Sequence, residues 1–186
     1  MKQTDLDTAR TESRMLQKRE YRSREIRNWV LSLAIAVIVA LTLRFFVFEF
    51  IRVDGESMLP TLENNEYVFM ERVTYWFSGP KRGDIVICHF PGSPDTYVKR
   101  VIGVGGDRLR VTNGVLYIND TANYDYFSGV MNMNMNELTV PEDSVFVMGD
   151  NRNNSTDSRM VGALSLDMIL GEAVFIIWPL DNIGGI

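Results

Sequence analysis

Apolar residues fall along this chain in two regimes. From Trp29 the chain reads Trp-Val-Leu-Ser-Leu-Ala-Ile-Ala-Val-Ile-Val-Ala-Leu-Thr-Leu43, with no charge and no proline, and after Arg44 it resumes as Phe45-Phe-Val-Phe48. A stretch of about 20 mostly apolar residues crosses a bilayer as a helix. The run is apolar all round rather than along one stripe, which argues against a helix lying on a soluble core. A cleaved secretory leader needs small residues at its cleavage site, and Arg44-Phe-Phe-Val-Phe-Glu49 offers none. The pattern therefore predicts an uncleaved anchor over 29–48. Trp29 is placed for one interface, and Arg44 can snorkel at the other.

Past residue 48 the period shortens. Glu66–Met70, Asp84–Phe90, Thr96–Ile102, Arg108–Val111, Val115–Ile118, Ser144–Met148 and Ala173–Trp178 are short runs rich in β-branched and aromatic residues, divided by Gly, Pro, Asn and Asp. Asn113-Gly114 between two of them predicts a tight hairpin. Ser165–Leu170 reads as one short helix. The stretch 122–139, with its Met131-Asn-Met-Asn-Met-Asn136 tract, reads as a loop excursion. The expected organisation is a polar tail over 1–28, an anchor over 29–48 and a β-rich domain over 49–186.

Charge and composition narrow the function. The net charge of -5 argues against a nucleic-acid partner. Lys18, Arg19, Arg22, Arg24 and Arg27 precede the anchor and predict a cytoplasmic N-terminus, with the β-rich part outside. One cysteine, Cys88, excludes an intrachain disulfide, and one histidine, His89, excludes a two- or three-histidine metal site. No metal or cofactor is expected. Cys88 and His89 are neighbours in a strand, so they point to opposite faces and cannot act as a pair. Gly103-Val-Gly-Gly-Asp107 has the look of a phosphate loop, but a strand follows it where a helix is required, so it reads as a turn.

Three polar segments remain. In Asp54-Gly-Glu-Ser-Met-Leu-Pro60, Gly55 and Pro60 bracket Ser57 in a turn that holds its hydroxyl clear. In Tyr97-Val-Lys-Arg-Val-Ile102, alternation puts Lys99 with Tyr97 and Val101, and Arg100 with Val98 and Ile102, so one of the two cations faces the more apolar side. A desolvated lysine loses its charge readily and can then take a proton from a serine, whereas arginine stays charged. Taken singly, a loop serine and a snorkelling lysine explain these residues as well. The third segment, Gly149-Asp-Asn-Arg-Asn-Asn-Ser-Thr-Asp-Ser-Arg159, places hydroxyls and amides directly after an apolar strand.

Together these segments resemble the boxes of type I signal peptidases, the serine-lysine enzymes that remove signal peptides from secreted preproteins. Gly55-x-Ser57-Met58-x-Pro60 resembles the nucleophile box. Arg82-Gly-Asp-Ile-Val86 resembles the box that follows it. Tyr97-Val-Lys99-Arg100-Val-Ile-Gly103-x-Gly-Gly-Asp107 resembles the lysine box, and Gly149-Asp-Asn-Arg-x-Asn-Ser155-x-Asp157-Ser-Arg159 resembles the last. Their order and spacing match over about Trp29 to Pro179, and the compact length with a single anchor is similar to the Gram-positive form.

The resemblance implies a mainly β domain of coiled antiparallel sheets, shared with self-cleaving repressors and preceded by one transmembrane helix. It implies Ser57 as nucleophile, Lys99 as general base and Ser155 as the residue that orients the lysine amine. Asp157 and Arg159 would shape the last box, and Arg100 would pair with Asp150. Around Gly55, the Ser57 N–H and Met58 it implies oxyanion and substrate contacts. Some members of the family carry a hydroxyl at the position of Gly55, so a donor is missing here. The implied substrates are preproteins cut after small residues in an A-x-A-like pattern, at the surface of the lipid bilayer. A repressor-type peptidase would carry a soluble DNA-binding segment instead of residues 29–48. A non-catalytic β module would have no use for both the serine and the lysine.

Overall fold

The computed structural model describes residues 21–22, 24–42, 48–124 and 131–186. Helix α1, Arg24–Thr42, is 19 residues long and is the one described helix long and apolar enough to span a membrane. At 1.5 Å per residue it measures about 28 Å, close to the hydrocarbon thickness of a bilayer. It starts ahead of the apolar run because the segment from Arg24 to Asn28 continues the helix without needing apolar burial. Phe48 is not part of it: that residue opens strand β1, Phe48–Arg52. Residues 1–20 and 23 of the polar tail, residues 43–47 of the expected anchor and residues 125–130 of the expected loop excursion lie outside the described residues.

The remainder is mainly β. After β1 come β2 (Tyr67–Glu71), helix α2 (Val73–Phe77), β3 (Ile85–His89), β4 (Thr96–Val104), β5 (Arg108–Thr112), β6 (Val115–Ile118), β7 (Thr121–Asn123), β8 (Met135–Thr139) and β9 (Ser144–Met148). Helix α3 (Ser158–Val161), β10 (Leu164–Ser165), β11 (Ile169–Trp178) and β12 (Gly184–Gly185) close the chain. The large sheet runs in the order β1-β2-β11-β3-β4-β9-β10 with β12 on β11, and the small sheet in the order β7-β6-β5-β8. Every pairing is antiparallel.

The Asn113-Gly114 hairpin joins β5 to β6 as expected, with both residues at positive φ. Two readings of the chain are corrected. Residues 135–139 are not loop but strand β8, which pairs with β5, and 121–123 form β7. The strand was hidden because its five residues, Met-Asn-Glu-Leu-Thr, do not alternate strictly: Asn136 and Glu137 are neighbours and both are exposed. Over 165–170, only Leu166–Met168 form a single helical turn, and Ile169 already belongs to β11.

Three apolar clusters hold the sheets. One gathers Val53, Met58, Leu62, Val68, Met70, Ile85, Ile87 and Val98 on one face of the large sheet. A second gathers Val86, Cys88, Phe90, Val101, Val145 and Val147 on the other face. The third joins Ile102, Phe146 and Met148 to Leu109, Val111 and Leu116 of the small sheet. Strand β4 thus lies at the centre with both faces covered. Lys99 and Arg100 are both buried, at 3% and 6% exposure. The alternation that separates the two cations thus sends each to a covered face, and neither side chain is left in solvent.

Candidate active site

Ser57 sits on a turn that follows β1. The Leu59 N–H donates to Glu56 O at 3.3 Å, and the Thr61 and Leu62 N–H groups donate to Met58 O at 2.8 and 3.0 Å. Met58, 1% exposed, plants its side chain in the first cluster and fixes the turn from below. Met58 thus belongs to the core and also borders the groove described below. Gly55 has φ +97 and donates its N–H to Asn64 Oδ1 at 3.0 Å. That conformation favours glycine, which accounts for the missing hydroxyl: a side chain at 55 would have open space but a strained backbone.

Lys99 reaches Ser57 from β4. Its Nζ lies 2.7 Å from Ser57 Oγ and 3.0 Å from Val98 O, and 5.8 Å from the centre of the Tyr97 ring. Burial drives the Lys99 amine below the ordinary lysine range, against the opposing pull of Cys88, Asp157 and Asp150. The register explains its neighbours. Arg100 pairs with Met148, the last residue of β9, so one step back along β4 the partner strand has ended at Gly149. The third polar segment therefore leaves the sheet beside Lys99.

That segment is tied down residue by residue. Asp150 is buried and takes both Arg100 Nε, at 2.9 Å, and Arg100 Nη2, at 2.7 Å. The same carboxylate accepts from Thr61 Oγ1 at 2.6 Å, and Arg100 Nη1 donates to Gly83 O at 2.7 Å. This one ion pair connects the serine turn, the Arg82-Gly-Asp84 turn and the last loop. Asp157 accepts from Arg159 Nε and Nη2, each at 2.7 Å, and from the Gly149 N–H at 3.0 Å. Burial pushes the Asp157 carboxyl up, but the Arg159 fork, the Gly149 N–H and the Ser155 hydroxyl outweigh it and hold the group below the usual carboxylate range. The Ser155 hydroxyl is turned to Asp157 and, at 3.5 Å, to Thr156 O; the structure does not bond it to Lys99. Arg82 and Asp84 lie away from the serine. Arg82 pairs with Asp107, and Asp84 accepts from the Tyr75 hydroxyl at 3.0 Å.

Ser57, Lys99, Gly55, Met58, Tyr97 and Ser155 line one open groove of about 690 Å³. A buried amine in hydrogen-bond contact with a half-buried serine at the base of such a groove is equipped for acyl transfer. Among the described residues, no group of His, Cys, Asp and Glu is placed to hold a metal. Single-residue reading missed Thr61, Gly149 and Asn151. Thr61 follows the Ser57 turn, and the other two flank Asp150, so proximity to the motifs was their only signal.

The family described as "Signal peptidase, peptidase S26" matches residues 26–178. The chain belongs to this signal peptidase family. It is 37% identical over 162 residues to signal peptidase I of Leptolyngbya laminosa, covering 82% of this chain and 80% of that one. It is 36% identical to signal peptidase I S of Bacillus subtilis over 175 residues, covering 87% and 94%. Similarity to the S26 signal peptidases thus spans the helix and the β domain together, and reaches cyanobacterial as well as Gram-positive members. A crystal structure of signal peptidase I from Enterococcus faecalis is 32% identical, with a TM-score of 0.45 over 50% of this chain and 95% of that one.

Proposed function

We propose that this protein is a membrane-bound serine endopeptidase that removes N-terminal signal peptides from secreted preproteins, with Ser57 as nucleophile and Lys99 as general base. The observation that carries the dyad is the 2.7 Å contact between a buried lysine amine and the serine hydroxyl. Membership of the signal peptidase family carries the substrate class.

The neutral Lys99 amine takes the Ser57 proton as Oγ bonds to the scissile carbonyl carbon. The carbonyl oxygen becomes an oxyanion facing the Ser57 N–H. Lys99 then returns the proton to the departing amine of the mature protein, and the peptide C–N bond breaks. Water, deprotonated by the same amine, cleaves the resulting ester and frees Ser57. Asp157, Arg159, Arg100 and Asp150 act behind the dyad by holding the last loop in place, and Ser155 supports Asp157.

The partners are preproteins cut after small residues, together with the lipid bilayer, and nucleic acid is not one. Helix α1 spans the bilayer, and the exposed Phe50, Tyr67, Phe175 and Trp178 offer aromatic surface suited to its interface. The charge bias before the helix puts the N-terminus in the cytoplasm and residues 49–186 outside. Protease added to intact cells should therefore digest the β domain, and a protected domain would reverse this topology. In detergent, Ser57→Ala and Lys99→Ala should each lower preprotein cleavage by at least ~10³-fold, leaving only what binding and the oxyanion site contribute. Activity retained by either variant refutes the dyad.

A further inference from the structure

We propose that Asn151 is a positioning residue for this reaction, orienting the peptide unit whose N–H meets the oxyanion; the inference rests on the serine-lysine reading above. Asn151 donates twice to the nucleophile turn. Its Nδ2 donates to Glu56 O at 3.0 Å, and its backbone N–H donates to Ser57 O, also at 3.0 Å. Both peptide units that flank the Ser57 Cα are therefore held by one residue. A backbone carbonyl only accepts, so the amide must face it with nitrogen.

The geometry of the peptide makes this contact directional. Glu56 C=O and the Ser57 N–H belong to one planar trans unit and point opposite ways. Holding the carbonyl against Asn151 turns the Ser57 N–H away from the last loop. That N–H has no intramolecular acceptor among the described residues, and Ser57 lines the groove. Since Gly55 has no hydroxyl to offer, the oxyanion depends on this N–H and on the accuracy with which it is aimed. The clamp is itself anchored. The neighbouring Asp150 is locked to Arg100, and the Asn154 N–H donates to Asn151 O at 2.9 Å.

The test uses the full chain in detergent. Asn151→Asp keeps the shape and the backbone donor but sets an oxygen against Glu56 O. Misaligning a preorganised donor should lower kcat by about 10- to 100-fold. KM should stay within about twofold and melting within a few degrees. Affinity of a signal peptide for the inactive Ser57→Ala protein should not change when Asn151→Asp is added, because no oxyanion forms in that complex. An unchanged kcat overturns the proposal, as does a loss carried entirely by KM. Loss of cooperative melting in both Asn151→Asp and Asn151→Ala also overturns it, by assigning Asn151 to fold stability. Ser57→Ala and Lys99→Ala are measured alongside. If either is active, the serine-lysine reading fails; if both are inactive and Asn151→Asp is fully active, only the positioning role fails.

Discussion

Burying the Lys99 amine has opposite effects on chemistry and on stability. A lysine whose folded pKa lies below its unfolded value of roughly 10.4 binds fewer protons when folded. Stability then rises with pH between the two values. Below the folded value both states carry the proton, and the full penalty of a buried ammonium remains. Lys99→Met should therefore raise the melting temperature at pH values below the folded pKa, while removing cleavage. The gain should shrink as pH approaches 10.4, as scanning calorimetry across pH will show; a melting temperature lowered at every pH contradicts the burial argument. By the same logic, the cleavage rate of the wild type should climb with pH on a limb that lies below the ordinary lysine range. A rate independent of pH over that range excludes Lys99 as base.

At the scale of elements, the site depends on where β9 ends. A Cβ on Gly149 would stand 2.4 Å from both Ser57 O and Ser155 Oγ. Ser57 O is backbone, so it cannot yield without moving the Ser57 turn. Gly149→Ala should destabilise by about 1–3 kcal/mol and reduce kcat more than KM, with denaturant melts and steady-state kinetics as the readouts. A fully active, equally stable variant would show that the turn has slack. Much of this architecture was legible in the chain. Ser144–Met148 coincides with β9, and Asn113-Gly114 marked its hairpin, because alternation and turn chemistry are local signals. Strand β8 was not legible, since Asn136 and Glu137 are poor strand formers and their consecutive exposure breaks the period of two. The clamp from Asn151 was invisible for a different reason. It joins residues 95 positions apart, and nothing local to either end announces the other.

Across the whole molecule, the site closes only when the large sheet is complete. Ser57 follows β1 near one edge, Lys99 lies on central β4, and the last loop leaves β9 toward the other edge. Contacts this distant in sequence form late and slowly, so activity reports on the finished fold. Cys88 lies in the same central region, on β3 between β11 and β4, fully buried, with burial pushing its thiol up to about 12. Only a thiolate reacts with an alkylating dye. The chain's sole sulfur nucleophile is thus sealed while the sheet is shut and unsealed when it opens. The protein carries its own chronometer: the pace at which a maleimide marks it, inside a detergent micelle or a living membrane, counts the openings of its core without any added label site.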